Sequence, residues 1–284
     1  MKGGQELPLG VAPLTALDLG VAEYVLAAGA VGYTEVGLRP APVSAGDPPF
    51  PLDLESPEFA RIEAAVARSG VRVLDLEVFS LSPGVGPEQW EPVLAVGERL
   101  GASYLNVVGD HPDRAAFDQL VVALTRDARS VGIVPVLEPI AYRPFDSYIW
   151  ALELAERADC RVELDLLHLL RTGAGVELVA SAPEAFPIVQ LCDAPVRLEE
   201  RAPRLTELAG SEDLTAWQLA ESRSLRLPVG EGDAPLAELL DALPAEVHLS
   251  VEVPHVDMRG DLDGAAWLEL LAVRTRETLE RLLA

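Results

Sequence analysis

Short apolar runs rich in β-branched residues alternate with longer amphipathic ones along the whole chain. The first run is LPLGVAP (7–13), and the segment after it predicts a helix from Asp18, a candidate N-cap, to about Ala30. TEVGL (34–38) reads as a strand and leads into a Pro-rich loop, PAPVSAGDPPFP. In ESPEFARIEAAVARSG three helix signals coincide: Ser56 as cap, Pro57 at the first helical position and Gly70 as the stop. VRVLDLEVFSL (71–81) predicts a strand, and a helix from about Pro87 to Leu100 halts at Gly101.

The second half repeats this grammar. YLNVVGD (104–110), VPVLEPI (134–140), RVELDLLHL, PIVQLCD (187–193) and HLSVEVP (248–254) read as strands or their continuations. Between them lie helical patterns in PDRAAFDQLVVALTRDARSVG, FDSYIWALELAERA and GAGVELVASA. A final helix from about Asp263 to Leu283 spaces Trp267, Leu270, Leu271 and Val273 for one buried face. Eight strand candidates alternating with helices imply βαβ units and a parallel sheet, and eight such units over roughly 250 residues make a (β/α)8 TIM barrel. A doubly wound open sheet would call for a Gly-rich fingerprint after the first strand, and LGVAPLTALDLG has none. The expectation is one barrel domain over residues 1–284, with a long loop at 194–232 after the seventh strand as a candidate lid.

Composition narrows the partners. A formal charge of -24 repels phosphate backbones and anionic membranes, so nucleic-acid and membrane binding are excluded as expectations. Lys2 is the sole lysine, which sets Schiff-base chemistry aside. Two cysteines, Cys160 and Cys192, form no disulfide framework; the N-terminal MKGGQELPLGVAPL offers no uninterrupted apolar h-region, and no stretch reaches the roughly 18–20 apolar residues of a membrane span. A cytoplasmic protein is expected, with homo-oligomerisation left open.

The candidate chemistry sits where the apolar runs end. Asp165 stands among leucines in RVELDLLHLLRTGAG, where an unpaired carboxylate would be costly. Glu138 ends the fifth run, Gln190 lies in the seventh and Glu252 in the eighth. In a barrel the C-terminal strand ends converge on one mouth. Three converging carboxylates repel one another unless a cation joins them, and with an amide oxygen they make a hard site for one divalent ion: Mn²⁺, Mg²⁺ or Co²⁺, with Zn²⁺ also admissible.

The order of these residues, with LEPIAYRPF, ELDLLHLLRTGAG, VQLCDAP, LPVGEGDAPL and LSVEVP, resembles the xylose-isomerase-like barrel family of sugar phosphate isomerases and epimerases. The resemblance spans essentially the whole chain and is strongest from 134 to 254. It implies that Glu138, Asp165, Gln190 and Glu252 are the metal ligands, and that Glu138 and Glu252 also move protons on opposite sides of a substrate. Many epimerases of the family carry His at the seventh-strand position. Gln190 is instead similar to the dehydroshikimate dehydratases of the same superfamily.

A divalent ion chelating a carbonyl and a neighbouring hydroxyl acidifies the C–H between them, so an enediolate route becomes available with Glu138 and Glu252 as base and acid. His168, Arg197 and Arg223 are candidate substrate contacts. Arg201 and Arg204 are weaker ones, because Glu199, Glu200 and Glu207 offer them surface partners. The GEGD turn at 230–233 reads as a capping turn in preference to a phosphate cradle, and Cys192 as a buried small hydrophobe. Glu35, Arg39, Glu77, Asn106 and Asp110 are unranked candidates for the mouth. Three functions stay open: an isomerase or epimerase of a polyhydroxylated carbonyl compound, a dehydratase working through the same enolate, and a non-catalytic sugar-binding barrel.

Overall fold

The computed structural model describes residues 8–43 and 49–283; Lys2, the start of the first apolar run and the centre of the Pro-rich loop lie outside the described residues. The strands are β1 (Gly10–Val11), β2 (Glu35–Leu38), β3 (Arg72–Leu81), β4 (Tyr104–Gly109), β5 (Val134–Glu138), β6 (Arg161–Asp165), β7 (Ile188–Leu191) and β8 (His248–Val251). Each pairs in parallel with the next, and β8 pairs with β1, so the sheet closes into a barrel in sequence order. Helices return the chain after each strand: α1 (Val21–Ala30), α2 (Pro57–Ser69), α3 (Pro87–Leu100), α4 (Arg114–Ser130), α5 (Tyr148–Ala158), the short α6 (Leu166–Thr172) and α7 (Val176–Ser181), then α8 (Ala202–Ala209), α9 (Leu214–Ser224), α10 (Leu236–Ala242), α11 (Val256–Arg259) and α12 (Gly264–Leu282).

Local signals placed many of these boundaries. Ser56 Oγ accepts the Phe59 N–H at 3.1 Å, and Gly70 ends α2 in the left-handed conformation at φ 74°. Asp18 does not cap α1. Gly20 occupies that position, and the Asp18 carboxylate reaches across the barrel rim to the Gly264 N–H at the start of α12 and to Arg259. On α12 the buried stripe is Trp267, Leu268, Leu271 and Ala272, while Val273 faces solvent. A rotation of the stripe by one position is within the tolerance of a 100°-wide apolar face.

Two apolar layers hold the barrel. The outer one lies between sheet and helices and includes Val25, Phe59, Trp90, Phe117, Leu154 and Trp267. Each such side chain, removed from water, contributes roughly 1.5–3 kcal/mol. The inner layer is small: Leu74, Val136 and Ile188, with Tyr104 packed against them. Strand alternation sets Val136 on the same face as Glu138, and Ile188 on the same face as Gln190. The inner apolar layer is therefore a plug beneath the polar strand ends.

The stretch 194–232 is largely helical. A 3-10 turn (Leu198–Arg201), α8 and α9 enclose their own core of Leu198, Leu205 and Leu225, with Leu208 and Trp217 against it. Isolated bridges Asp193–Leu227 and Leu225–His255 fasten the returning strand-like segment to the barrel top.

Candidate metal centre

Glu138 is the last residue of β5 and Asp165 the last of β6. Asp165 is also the cap of α6, its Oδ1 accepting the His168 N–H at 2.8 Å. Because the helix starts at once after the strand, the third residue of its first turn is carried back over the strand ends. Gln190 is in register with Asp165 on one side and Ser250 on the other. Glu252 lies one residue beyond β8, its N–H donating to Leu191 O at 2.9 Å. All five side chains are buried.

Ligand atoms of Glu138, Asp165 and His168 lie within 4.8 Å of one another, and His168 Nε2 is 3.8 Å from Glu138 Oε1. Two neighbours set the orientation of the donors. Asn106 Nδ2 donates to Glu138 Oε2 at 2.9 Å, leaving Oε1 toward the histidine. Gln190 Nε2 donates to Glu77 Oε2 at 3.0 Å, which leaves the buried Gln190 Oε1 without a partner, as is His168 Nδ1. Gly37 makes room for this arrangement: a Cβ there would stand 1.8 Å from Glu77 Oε1 and 2.9 Å from Asp75 Oδ1. Orphaned buried acceptors beside a compact carboxylate–imidazole group fit a divalent ion with oxygen and nitrogen ligands.

The field inside the mouth separates the carboxyls. Burial, then the charges of Asp165 and Glu252, push Glu138 up to about 8. Burial raises Glu252 as well, with Arg226 opposing. At Asp165 burial acts upward, but Arg226 and His168 outweigh it and the carboxyl falls below its ordinary value. Burial takes His168 down to about 4, so its imidazole resists protonation near neutral pH and keeps a lone pair for a hydrogen bond or a ligand bond. Deeper in the barrel, Asp75 and Glu163 continue the acidic column. Burial raises both, and both Glu163 oxygens lack a hydrogen-bond partner.

Arg226 is the residue that sequence reasoning passed over. It is 1% exposed, with Nη1 2.5 Å from Asp165 Oδ2 and Nη2 2.9 Å from Glu252 Oε2. The signal was present, since a charge set between leucines in SLRLPV is as conspicuous as Asp165 in ELDLL. Tyr142, which has no signal in the sequence, stands with its ring edge-on to His168, centroids 5.6 Å apart. Arg197 is exposed at the start of the 3-10 turn, and Arg223 is half-buried on α9, three residues before Arg226. Arg201 lies against Glu221 and His255, and Arg204 pairs with Glu207 and Asp257. Glu35 sits at the opposite end of the barrel, bonded to Arg72 and His248 at strand starts. The GEGD turn wraps the Asp193 carboxylate, which accepts N–H groups from Gly230 and Ala234. Cys192 is buried, and burial raises its thiol. A surface cleft of about 640 Å³ between the start of α5 and the α6–α7 turn is lined by none of Glu138, Asp165, His168, Gln190 and Glu252.

No family model matches the chain and no curated protein matches it. Solved structures do. A xylose isomerase-like TIM barrel/4-hydroxyphenylpyruvate dioxygenase fusion protein aligns over 98% of this chain with a TM-score of 0.70 at 19% identity. The fold is that of the xylose isomerase-like TIM barrels. The chain spans 44% of that fusion protein's length. The zinc-bound IolI protein matches over 97% of this chain and 98% of its own, with a TM-score of 0.69 at 15% identity. The probable 3-DHS dehydratase AsbF of Bacillus anthracis matches over 96% and 98%, with a TM-score of 0.70 at 13% identity. A sugar phosphate isomerase/epimerase of Parabacteroides distasonis matches over 97% of this chain and 96% of its own, with a TM-score of 0.64 at 12% identity. Among the described residues no helix is long and apolar enough to cross a membrane.

Proposed function

We propose that the protein is a divalent-metal-dependent isomerase or epimerase of a polyhydroxylated carbonyl compound. The observation that carries this reading is the pair Glu138 and Glu252: two buried carboxyls on strands three apart, both raised in pKa, with Asp165 and Gln190 between them. Proton-transfer groups work best when their pKa approaches the working pH, and burial moves both in that direction. Glu138 and Asp165, which gather with His168 within 4.8 Å, would hold the ion, and Gln190 and Glu252 are the further ligands that the family resemblance implies. Bound there, the ion supplies an electrophile that acidifies a C–H next to a carbonyl. One glutamate removes that proton, and the other delivers a proton to the opposite face or the neighbouring carbon. Neutral His168 has a single lone-pair nitrogen, which serves either the ion or, as a hydrogen-bond acceptor, a substrate hydroxyl. The zinc named with IolI and the isomerase names among the structural neighbours support the class.

A second reading is favoured by Gln190 and by the neighbour AsbF: a dehydratase in which the same proton is removed and a β-hydroxyl, taking up a proton, leaves as water. Proton NMR in D₂O with a panel of ketoses and dehydroshikimate separates the two. An isomeric product carrying deuterium at the exchanged carbon is expected. Loss of water from dehydroshikimate would install the second reading, and inertness toward the whole panel in the presence of Mn²⁺ or Zn²⁺ would count against both.

A further inference from the structure

Asp165 and Glu252 already have a cation. The Arg226 guanidinium spans them through Nη1 and Nη2, and its other contacts hold it in place: Nε donates to Ser222 O at 2.9 Å and Nη2 to Ser222 Oγ at 3.2 Å. Arg226 does not come from a strand end. It follows directly on α9, in the segment bridged to Asp193 and His255 through its two neighbours, Leu227 and Leu225. α9 is itself pinned, because Arg171 on α6 makes a bidentate pair with buried Glu221 at 2.6 Å for each bond. The guanidinium is thus delivered to the mouth by the helical insertion, and its position follows that helix.

Glu252 stands outside the compact Glu138–Asp165–His168 group. Its Oε2 is held by Arg226, and both Asp165 oxygens are engaged, one by the His168 N–H and one by Arg226. A divalent ion that draws on Asp165 and Glu252 meets a fixed positive charge at hydrogen-bond distance from both ligands, and like charges at that separation repel strongly in a buried site. We propose that Arg226 is an internal competitor for the metal: the guanidinium and the ion contend for Asp165 and Glu252, and α9 sets how tightly the ion binds. The proposal rests on the metal-centred reading above. It gives the insertion a defined task, because any shift of α9 that withdraws Arg226 raises metal affinity.

Zn²⁺ titration against a chromogenic chelator tests this on the whole chain. Arg226→Gln should bind Zn²⁺ about tenfold or more tightly than the unaltered protein, on the scale by which partners of metal ligands alter affinity. Arg226→Lys, which keeps the charge, should stay near the unaltered value. Structural damage alone would weaken binding, so the direction distinguishes competition from a supporting role. Arg226→Gln also leaves two buried carboxylates uncompensated, and its melting temperature should fall without Zn²⁺ and recover with it. Should that variant not fold, Ser222→Ala, which loosens one tether of the guanidinium, carries the test through a smaller gain in affinity. Equal or weaker Zn²⁺ binding in folded Arg226→Gln, or in Ser222→Ala where Arg226→Gln does not fold, overturns the competition while leaving the metal site standing. Absence of Zn²⁺ binding in every form overturns both.

Discussion

At the level of single residues, a charge set among apolar neighbours proved the most informative feature. Asp165 among leucines, Glu138 after Val136 and Leu137, and Glu252 between valines all converge on the barrel mouth, because strand alternation and barrel closure leave them one destination. Partners were harder to see. Glu77 holding Gln190, Asn106 holding Glu138 and Arg226 holding Asp165 join residues 113, 32 and 61 positions apart, and nothing local encodes such pairings. His168 was legible as a residue beyond the strand end, but its place beside Glu138 required knowing that Asp165 starts a helix at once. Glu252→Gln is the sharpest single substitution. It preserves shape and a hydrogen-bonding head while removing the proton-carrying group, so turnover should drop by about 10²-fold or more with the far-UV circular dichroism unchanged. Retained turnover would take Glu252 out of proton transfer.

Elements were legible where their end signals are local. α2, α3 and the start of α12 begin and stop where Ser56, Gly70, Gly101 and Asp263 indicate, since a cap acts within four residues. Asp18 shows the converse: a good cap residue spent on a partner more than 240 positions away. The 194–232 insertion was unreadable as helix because its core is only three buried leucines, too few to stand out from an exposed, charged sequence. The contact between that insertion and the start of α11 also carries a pH response. His255 caps α11 by accepting the Met258 N–H and faces Arg201 at 3.2 Å, with Arg204 and Asp257 nearby. Burial, then Arg201, lowers its pKa from 6.5 to about 4. The folded state therefore binds fewer protons than the unfolded state in that interval. Its contribution to stability is complete above pH 6.5 and is lost as the pH falls toward 4. In urea unfolding at a series of pH values, His255→Asn, which keeps an acceptor at the cap, should lose less stability between pH 6.5 and 4 than the unaltered protein. An identical pH profile would remove His255 from this role.

On the scale of the whole molecule, the barrel divides labour along its axis. The inner plug of Leu74, Val136 and Ile188 closes the interior beneath the mouth, the outer layer fastens the helices, and the mouth concentrates carboxyls that apolar packing could not stabilise. The strand count and the parallel order were readable from periodicity alone, because eight alternations admit few closures. The acidic column behind the mouth, Asp75 and Glu163, was not, since in sequence each resembles an ordinary polar position on a strand's solvent face. All of this turns on whether the mouth takes a metal ion. The most direct measurement is elemental analysis of protein equilibrated with Mn²⁺ or Zn²⁺ and then freed of unbound ion, beside Asp165→Asn treated identically. One ion per chain, lost in the variant, is the expected result; a chain that retains none, or an ion count that Asp165→Asn leaves unchanged, would contradict the metal centre.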